Sequence, residues 1–95
     1  MSGSIPPDGI PDRSAAMAWQ TIDDEMVLLS LPGKELMGLN EVGARVWSLI
    51  DGTRSLARIA EVVAAEFDVT TEEAHRDVID FVTELNELGA LSWRA

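Results

Sequence analysis

Carboxylates are the residues of this 95-residue chain best placed to do chemistry. Glu73, Asp77, Asp80, Glu84 and Glu87 recur every three or four positions, the spacing that lines side chains along one helix face. Such a row can select a cationic partner. It can pass protons only where burial raises a pKa, and a regular surface row offers no such pocket. Other chemistry is thinner. His75 is the only histidine and falls on the first turn of the acidic stretch, with no nucleophile spaced to use it. No cysteine or tyrosine is present, so thiolate nucleophiles, disulfides and thiolate metal sites are excluded. Neither zinc-ligand nor calcium-loop spacing occurs. Gly33, Gly38 and Gly43 do not form a phosphate-loop pattern. The reading is no catalysis, no cofactor and no metal.

Charge narrows the partners. Seventeen acids against seven bases leave a net charge of −10. Phosphate neutralisation needs clustered Lys and Arg, so neither nucleic acid nor an anionic membrane is expected. No apolar run is long enough to span a bilayer, and Met1–Pro7 lacks a secretory signal. The expected location is cytoplasmic.

The elements that must position these side chains are a small sheet and three helices. Residues 1–17, with three prolines, read as a flexible arm, leaving 18–95 as one domain. Trp19–Ile22, Met26–Leu31 and Glu35–Leu39 are β-prone runs separated by Asp23-Asp24 and Pro32-Gly33 turns. Asn40 caps a helix from Glu41 to about Ile50, which Asp51-Gly52 ends. Ser55 caps a second helix with Leu56, Ile59, Ala60, Val63 and Phe67 at core spacing. Thr70 with Glu73 fits the capping box of a third over 71–88, and Gly89 fits its C-terminal stop. The expected class is α+β, winged helix-turn-helix-like: a three-stranded antiparallel sheet followed by three helices, β-β-β-α-α-α.

The third helix carries two stripes. Ala74, Val78, Phe81, Leu85 and Leu88 form an apolar row about 100° from the acidic one. Ile79 and Val82 widen the apolar face beyond a single core stripe, so that face can be shared between the core and a ligand. In a helix-turn-helix this helix would enter the major groove, but six carboxylates against one arginine give it a formal charge of −5. Arg45, Arg54 and Arg58 suit surface ion pairs, for instance Arg58 with Glu61 or Glu66, better than a phosphate footprint. Peptide binding is favoured positively. The strand Lys34–Leu39 has no internal proline and few charges, so it leaves an edge that an added strand can join. Two other readings are an acidic winged-helix interaction module in a transcription or assembly complex, and homodimerisation through the open edge.

Leu39-Asn40-Glu41-Val42-Gly43-Ala44-Arg45-Val46-Trp47 runs into Leu49-Ile50-Asp51-Gly52-Thr53-Arg54-Ser55-Leu56, then through Ile59-Ala60 to Asp77-Val78, Phe81-Val82, Leu85 and Leu88-Gly89. With Ile22-Asp23-Asp24-Glu25 and Val27-Leu28-Leu29 ahead of it, this ordered set resembles the PqqD family over roughly residues 18–92. The resemblance implies a non-catalytic peptide chaperone, or RiPP recognition element. Such a domain binds the leader of a ribosomally made precursor as an added strand and presents it to a modifying enzyme. That enzyme would be a radical S-adenosylmethionine enzyme, as in pyrroloquinoline quinone synthesis, or a leader protease, as in lasso peptide maturation. Carried onto this chain, the expected peptide-binding residues are Lys34, Glu35, Leu36, Met37, Gly38 and Leu39 on the third strand, with Ala74, Asp77, Val78, Phe81, Glu84 and Leu88 on the third helix. Leader apolar side chains are expected against Leu36, Phe81 and Leu88, with the acidic row selecting Lys or Arg. A monomer is expected.

Overall fold

A computed structural model describes residues 5, 9–15, 17–23, 25–31 and 34–94 of the chain. Its element order is β1 (Ile10–Arg13), β2 (Met17–Ile22), β3 (Glu25–Ser30), β4 (Glu35–Leu39), α1 (Glu41–Leu49), α2 (Leu56–Phe67), α3 (Thr71–Glu87) and β5 (Leu91–Arg94).

Strands β2, β3 and β4 form an antiparallel meander with β3 in the centre. Asp23 turns the chain between β2 and β3 at a φ of +50°, in the left-handed region that aspartate tolerates better than most residues. Before β4 the backbone N–H of Lys34 donates to Ser30 O at 2.7 Å. Asp24, Pro32 and Gly33, to which the sequence assigns turn roles, lie outside the described residues.

Pairing register decides which side chains face the core. Trp19↔Leu28↔Met37 and Met17↔Ser30↔Glu35 share one face; Ala18↔Leu29↔Leu36 and Gln20↔Val27↔Gly38 share the other. Met17, Leu28, Ser30 and Leu39 are buried, so the first face is the one the helices cover. This settles a choice that the alternation of β4 alone leaves open. Met37 and Leu39 point toward the helices, and Leu36 points away.

The helices start where the sequence places them, because each cap satisfies a backbone N–H that the first turn cannot. Asn40 accepts from Gly43 N, Ser55 from Arg58 N and Thr70 from Glu73 N. Gly89, at a φ of +78°, follows the α3 C-cap Leu88. Trp47 is the largest fully buried side chain, packed among Leu28, Ile50, Ile59 and Leu85. Trp19 meets it edge-on at 5.5 Å between ring centroids, and the Arg13 guanidinium lies over both rings. The buried Trp47 indole N–H finds no acceptor among the described residues, a cost of about 1–3 kcal/mol that the ring's packing must outweigh.

The expected flexible arm does not hold at its C-terminal half, and the expected β-β-β-α-α-α order lacks two strands. Residues 10–13 form β1, paired antiparallel with β5 at the other end of the chain. Pro11, which interrupts most strands, is tolerated in this two-stranded ribbon, where it sits opposite Trp93. The ribbon is fastened to the helical layer: Gly52 N donates to Pro11 O at 3.0 Å and Arg13 Nε to Ile50 O at 2.8 Å. Arg94 pairs with Asp12 at 2.9 Å. This explains the glycine after α1. Gly52 has a φ of +82°, and a Cβ there would lie 2.8 Å from both Arg94 Nε and Asp12 Oδ2.

Candidate functional site

The edge of β4 and one flank of α3 bound the site, and the N-terminal turn of α1 lies between them. β4 pairs only with β3, so its other edge is unpaired among the described residues. Lys34, Glu35, Leu36 and Gly38 are exposed along it, and a Cβ built on Gly38 meets nothing within 4 Å. Asn40 follows β4 directly. Beyond it lies an open cavity of ≈310 Å3 lined by Asn40, Val42, Gly43, Val46, Asp77 and Phe81. The cavity therefore begins where the β4 edge ends.

Helix α3 presents two stripes to different surroundings. Ala74, Val78, Val82 and Leu85 are fully buried and hold the helix to the core. Asp77, Phe81, Glu84 and Leu88 fall on a second stripe about 90° away at 100° per residue. Asp77 and Glu84 are exposed, while Phe81 and Leu88 are half-buried. Phe81 is seated against α1 because Gly43 has no side chain: a Cβ there would sit 3.3 Å from the Phe81 ring.

Electrostatically, this flank differs from the rest of the surface. Arg45 makes a bidentate pair with Glu66, at 2.8 and 2.7 Å, joining α1 to α2. Arg58 pairs with Glu61 and Arg54 with Asp51. Hydrogen bonding to Arg45 holds the Glu66 carboxyl below its ordinary range; the Thr53 hydroxyl does the same for Asp51, and Arg94 for Asp12. None of the six carboxylates of α3 has a salt bridge among the described residues. No group of three or more His, Cys, Asp or Glu side chains among them is arranged to hold a metal ion. No helix among them is long and apolar enough to cross a membrane.

Set against the expected residues, the structure brings Asp77 and Phe81 to one cavity and keeps Glu84 and Leu88 on the same stripe. Ala74 and Val78 are corrected. Both are 0% exposed, so they hold the site's wall from behind and touch no ligand. Leu36 keeps its place on the β4 edge, but its side chain lies on the face of the sheet opposite the buried Leu28 and Leu39, so the expected side-chain surface shared with Phe81 is corrected. Asn40, Val42, Gly43 and Val46 were missed. The signal for Gly43 was a glycine in an otherwise favourable helix, which marks a close approach.

Comparison with known proteins fits this geometry. Residues 25–91 match the family model described as Coenzyme PQQ synthesis protein D (PqqD). A PqqA binding protein of Xanthomonas oryzae pv. oryzae (strain PXO99A) is 37% identical over 86 residues, covering 88% of this chain and 91% of that protein. One from Xanthomonas campestris pv. campestris (strain 8004) is 39% identical over 64 residues, covering 67% of each chain. Among solved structures, TbiB1 in complex with the TbiA(beta) leader peptide superposes with a TM-score of 0.77 at 34% identity, covering 88% of this chain and 98% of that one. Lasso peptide synthetase B1 complexed with its leader peptide gives 0.78 at 26% identity, covering 87% and 98%. The PqqD truncation of Methylobacterium extorquens PqqCD, a RiPP recognition element, shares the fold with a TM-score of 0.71 at 19% identity, covering 86% and 87%. The chain belongs to the PqqD family.

Proposed function

We propose that this domain is a non-catalytic, cytoplasmic leader-peptide adaptor: it binds the leader of a ribosomally made precursor and presents it to a modifying enzyme. The observation that carries this is the β4 edge, unpaired among the described residues, beside a cavity lined by apolar Val42, Val46 and Phe81 and by the Asp77 carboxylate. The leader backbone pairs with Lys34–Leu39, and one parity of its side chains faces Phe81 and the cavity. A Lys or Arg of the leader lays its aliphatic stem on Val42 and Phe81 and sets its charge beside Asp77, with Glu84 further along the stripe. These charges act on register and association rate more than on affinity. The names of the relatives support this reading, since they include PqqA binding proteins and complexes with leader peptides. The helices after the meander are read as a winged helix-turn-helix-like arrangement with the sheet first, but the −5 charge of α3 opposes DNA docking.

Titration of the labelled protein with a synthetic candidate leader peptide tests the assignment. Amide shifts should concentrate in 34–43 and 77–88. Shifts confined to α2 and the β1–β5 ribbon would refute it.

A further inference from the structure

Glycine inside a strand lowers stability, because its backbone loses more freedom on folding and it has no side chain to pack. It has a use where the backbone needs a positive φ, where a bulge interrupts the ladder, or where another group must come close. Gly38 of β4 meets none of these conditions within the fold. Its φ lies outside the left-handed region that Gly52 and Gly89 occupy. The register Met26↔Leu39, Val27↔Gly38, Leu28↔Met37 runs through it unbroken, so there is no bulge. A Cβ built on it meets nothing within 4 Å, unlike one on Gly43, which the Phe81 ring crowds. The group that uses the missing side chain is therefore not among the described residues.

The place of this notch says what that group is. Gly38 is exposed on the edge strand that takes the leader, and it shares the sheet face turned away from the helices with Val27 and Gln20. A leader strand on that edge sets one residue directly opposite Gly38, about 4.8 Å away. Its side chain meets no Cβ and can lie across the glycine. Half-buried Val27 is next in that row, and exposed Leu36 is the diagonal neighbour. Both border a shallow depression of ≈350 Å3 that continues over Ala18 and Leu29. From the added strand to Val27 is two strand spacings, about 9.6 Å between Cα atoms. An aromatic ring lying flat over an edge glycine covers that span, whereas a short aliphatic or polar chain stops above Gly38. The row of Gln20, Val27 and Gly38 carries no charge, so nothing in it favours an ionic side chain.

We propose that Gly38 is a selectivity notch, which receives an aromatic side chain of the leader on the sheet face opposite the cavity of Asp77 and Phe81. This rests on leader pairing with β4 and adds an apolar criterion to the cationic one. The aromatic residue and the cation beside Asp77 stand an odd number of positions apart, because they leave the leader strand on opposite faces.

The test is calorimetry of a synthetic candidate leader peptide against the wild type, Gly38→Ala and Gly38→Val. Intermolecular NOEs in the complex identify the leader residue opposite Gly38, and a second peptide carries alanine there. That leader residue should be aromatic. Gly38→Val puts a β-branched side chain into open space, so it should raise the Tm of the free protein. It should nonetheless weaken leader binding about fivefold, and Gly38→Ala about twofold. The alanine peptide should bind the wild type about fivefold more weakly, and Gly38→Val should weaken it no further. A small residue opposite Gly38, unchanged affinity in Gly38→Val, or equal losses for both peptides would overturn the notch while leader binding stands. A dimer in sedimentation that Gly38→Val dissolves would give the notch to a second copy and overturn it too. A wild type that binds no leader overturns the leader reading, and the notch with it.

Discussion

The arginines of α1, α2 and the loop between them all pair with acids, whereas none of the six carboxylates of α3 has a salt bridge among the described residues. Arg45 closes on Glu66 with both carboxylate oxygens, and Arg58 and Arg54 each hold an acid three residues away. Those pairs are exposed, so water and salt screen them and each adds little to stability. Their role is to leave that surface neutral and closed. The flank of α3 is arranged the other way: Asp77 and Glu84 border half-buried Phe81 and Leu88 and form no salt bridge among the described residues. Repulsion along an uncompensated acidic helix costs stability. A charge-compensated surface is finished by folding, and an uncompensated one is finished by a partner.

Reversing the open charges should give the largest effect. Asp77→Lys with Glu84→Lys is expected to lower affinity for a basic leader on the order of tenfold or more at low salt, mainly through the association rate. Glu66→Lys, equal in charge change but on the closed surface, should leave leader affinity within about twofold. Equal losses from both, measured by calorimetry at two salt concentrations, would mean that net charge alone matters and that the two regions do not differ. Next in size is a shape effect. Gly43→Ala places a methyl 3.3 Å from the Phe81 ring and from Asn40 Oδ1. The ring must shift toward the cavity, and leader affinity should fall about threefold. Thermal stability should change little, because alanine's helix preference of up to about 1 kcal/mol offsets the crowding.

Local signals made most of this legible. The three caps each depend on a side chain and an N–H three residues apart, so Asn40, Ser55 and Thr70 could be identified by inspection. The two stripes of α3 follow from its period, whereas Phe81 and Asp77 were expected as site residues through the family resemblance. What stayed hidden depends on distance along the chain. β1 and β5 pair across some 80 positions, and Pro11 in a proline-rich stretch hides a four-residue strand. Ala74 and Val78 share the apolar period with Phe81, and only packing against α2 and β5 separates a buried stripe from its half-buried neighbour. Which of Leu36 and Met37 faces the helices stayed open, because the side-chain period of two fixes which residues face together but not which way they face.

A smaller effect isolates folding from binding. Thr70→Ala removes the acceptor for Glu73 N and should cost about 1 kcal/mol, a drop of roughly 4–8 °C in Tm, with leader affinity unchanged once the protein is folded. The smallest effect tests the comparison in stability alone. Glu66 has a folded pKa below its ordinary 4.5, and Asp12 and Asp51 below 3.8. A carboxylate depressed on folding contributes stability that is full above its unfolded value and is lost as pH falls through the folded one. Stability against denaturant should therefore fall below about pH 4.5, and Glu66→Gln should destabilise the protein slightly at neutral pH. Asp77→Asn and Glu84→Gln should do the reverse, since each relieves repulsion on α3 and breaks no pair, while flattening the salt dependence of leader binding. If neutralising Asp77 or Glu84 destabilises the free protein as Glu66→Gln does, then the open carboxylates are held by the fold after all, and the distinction between the two surfaces fails.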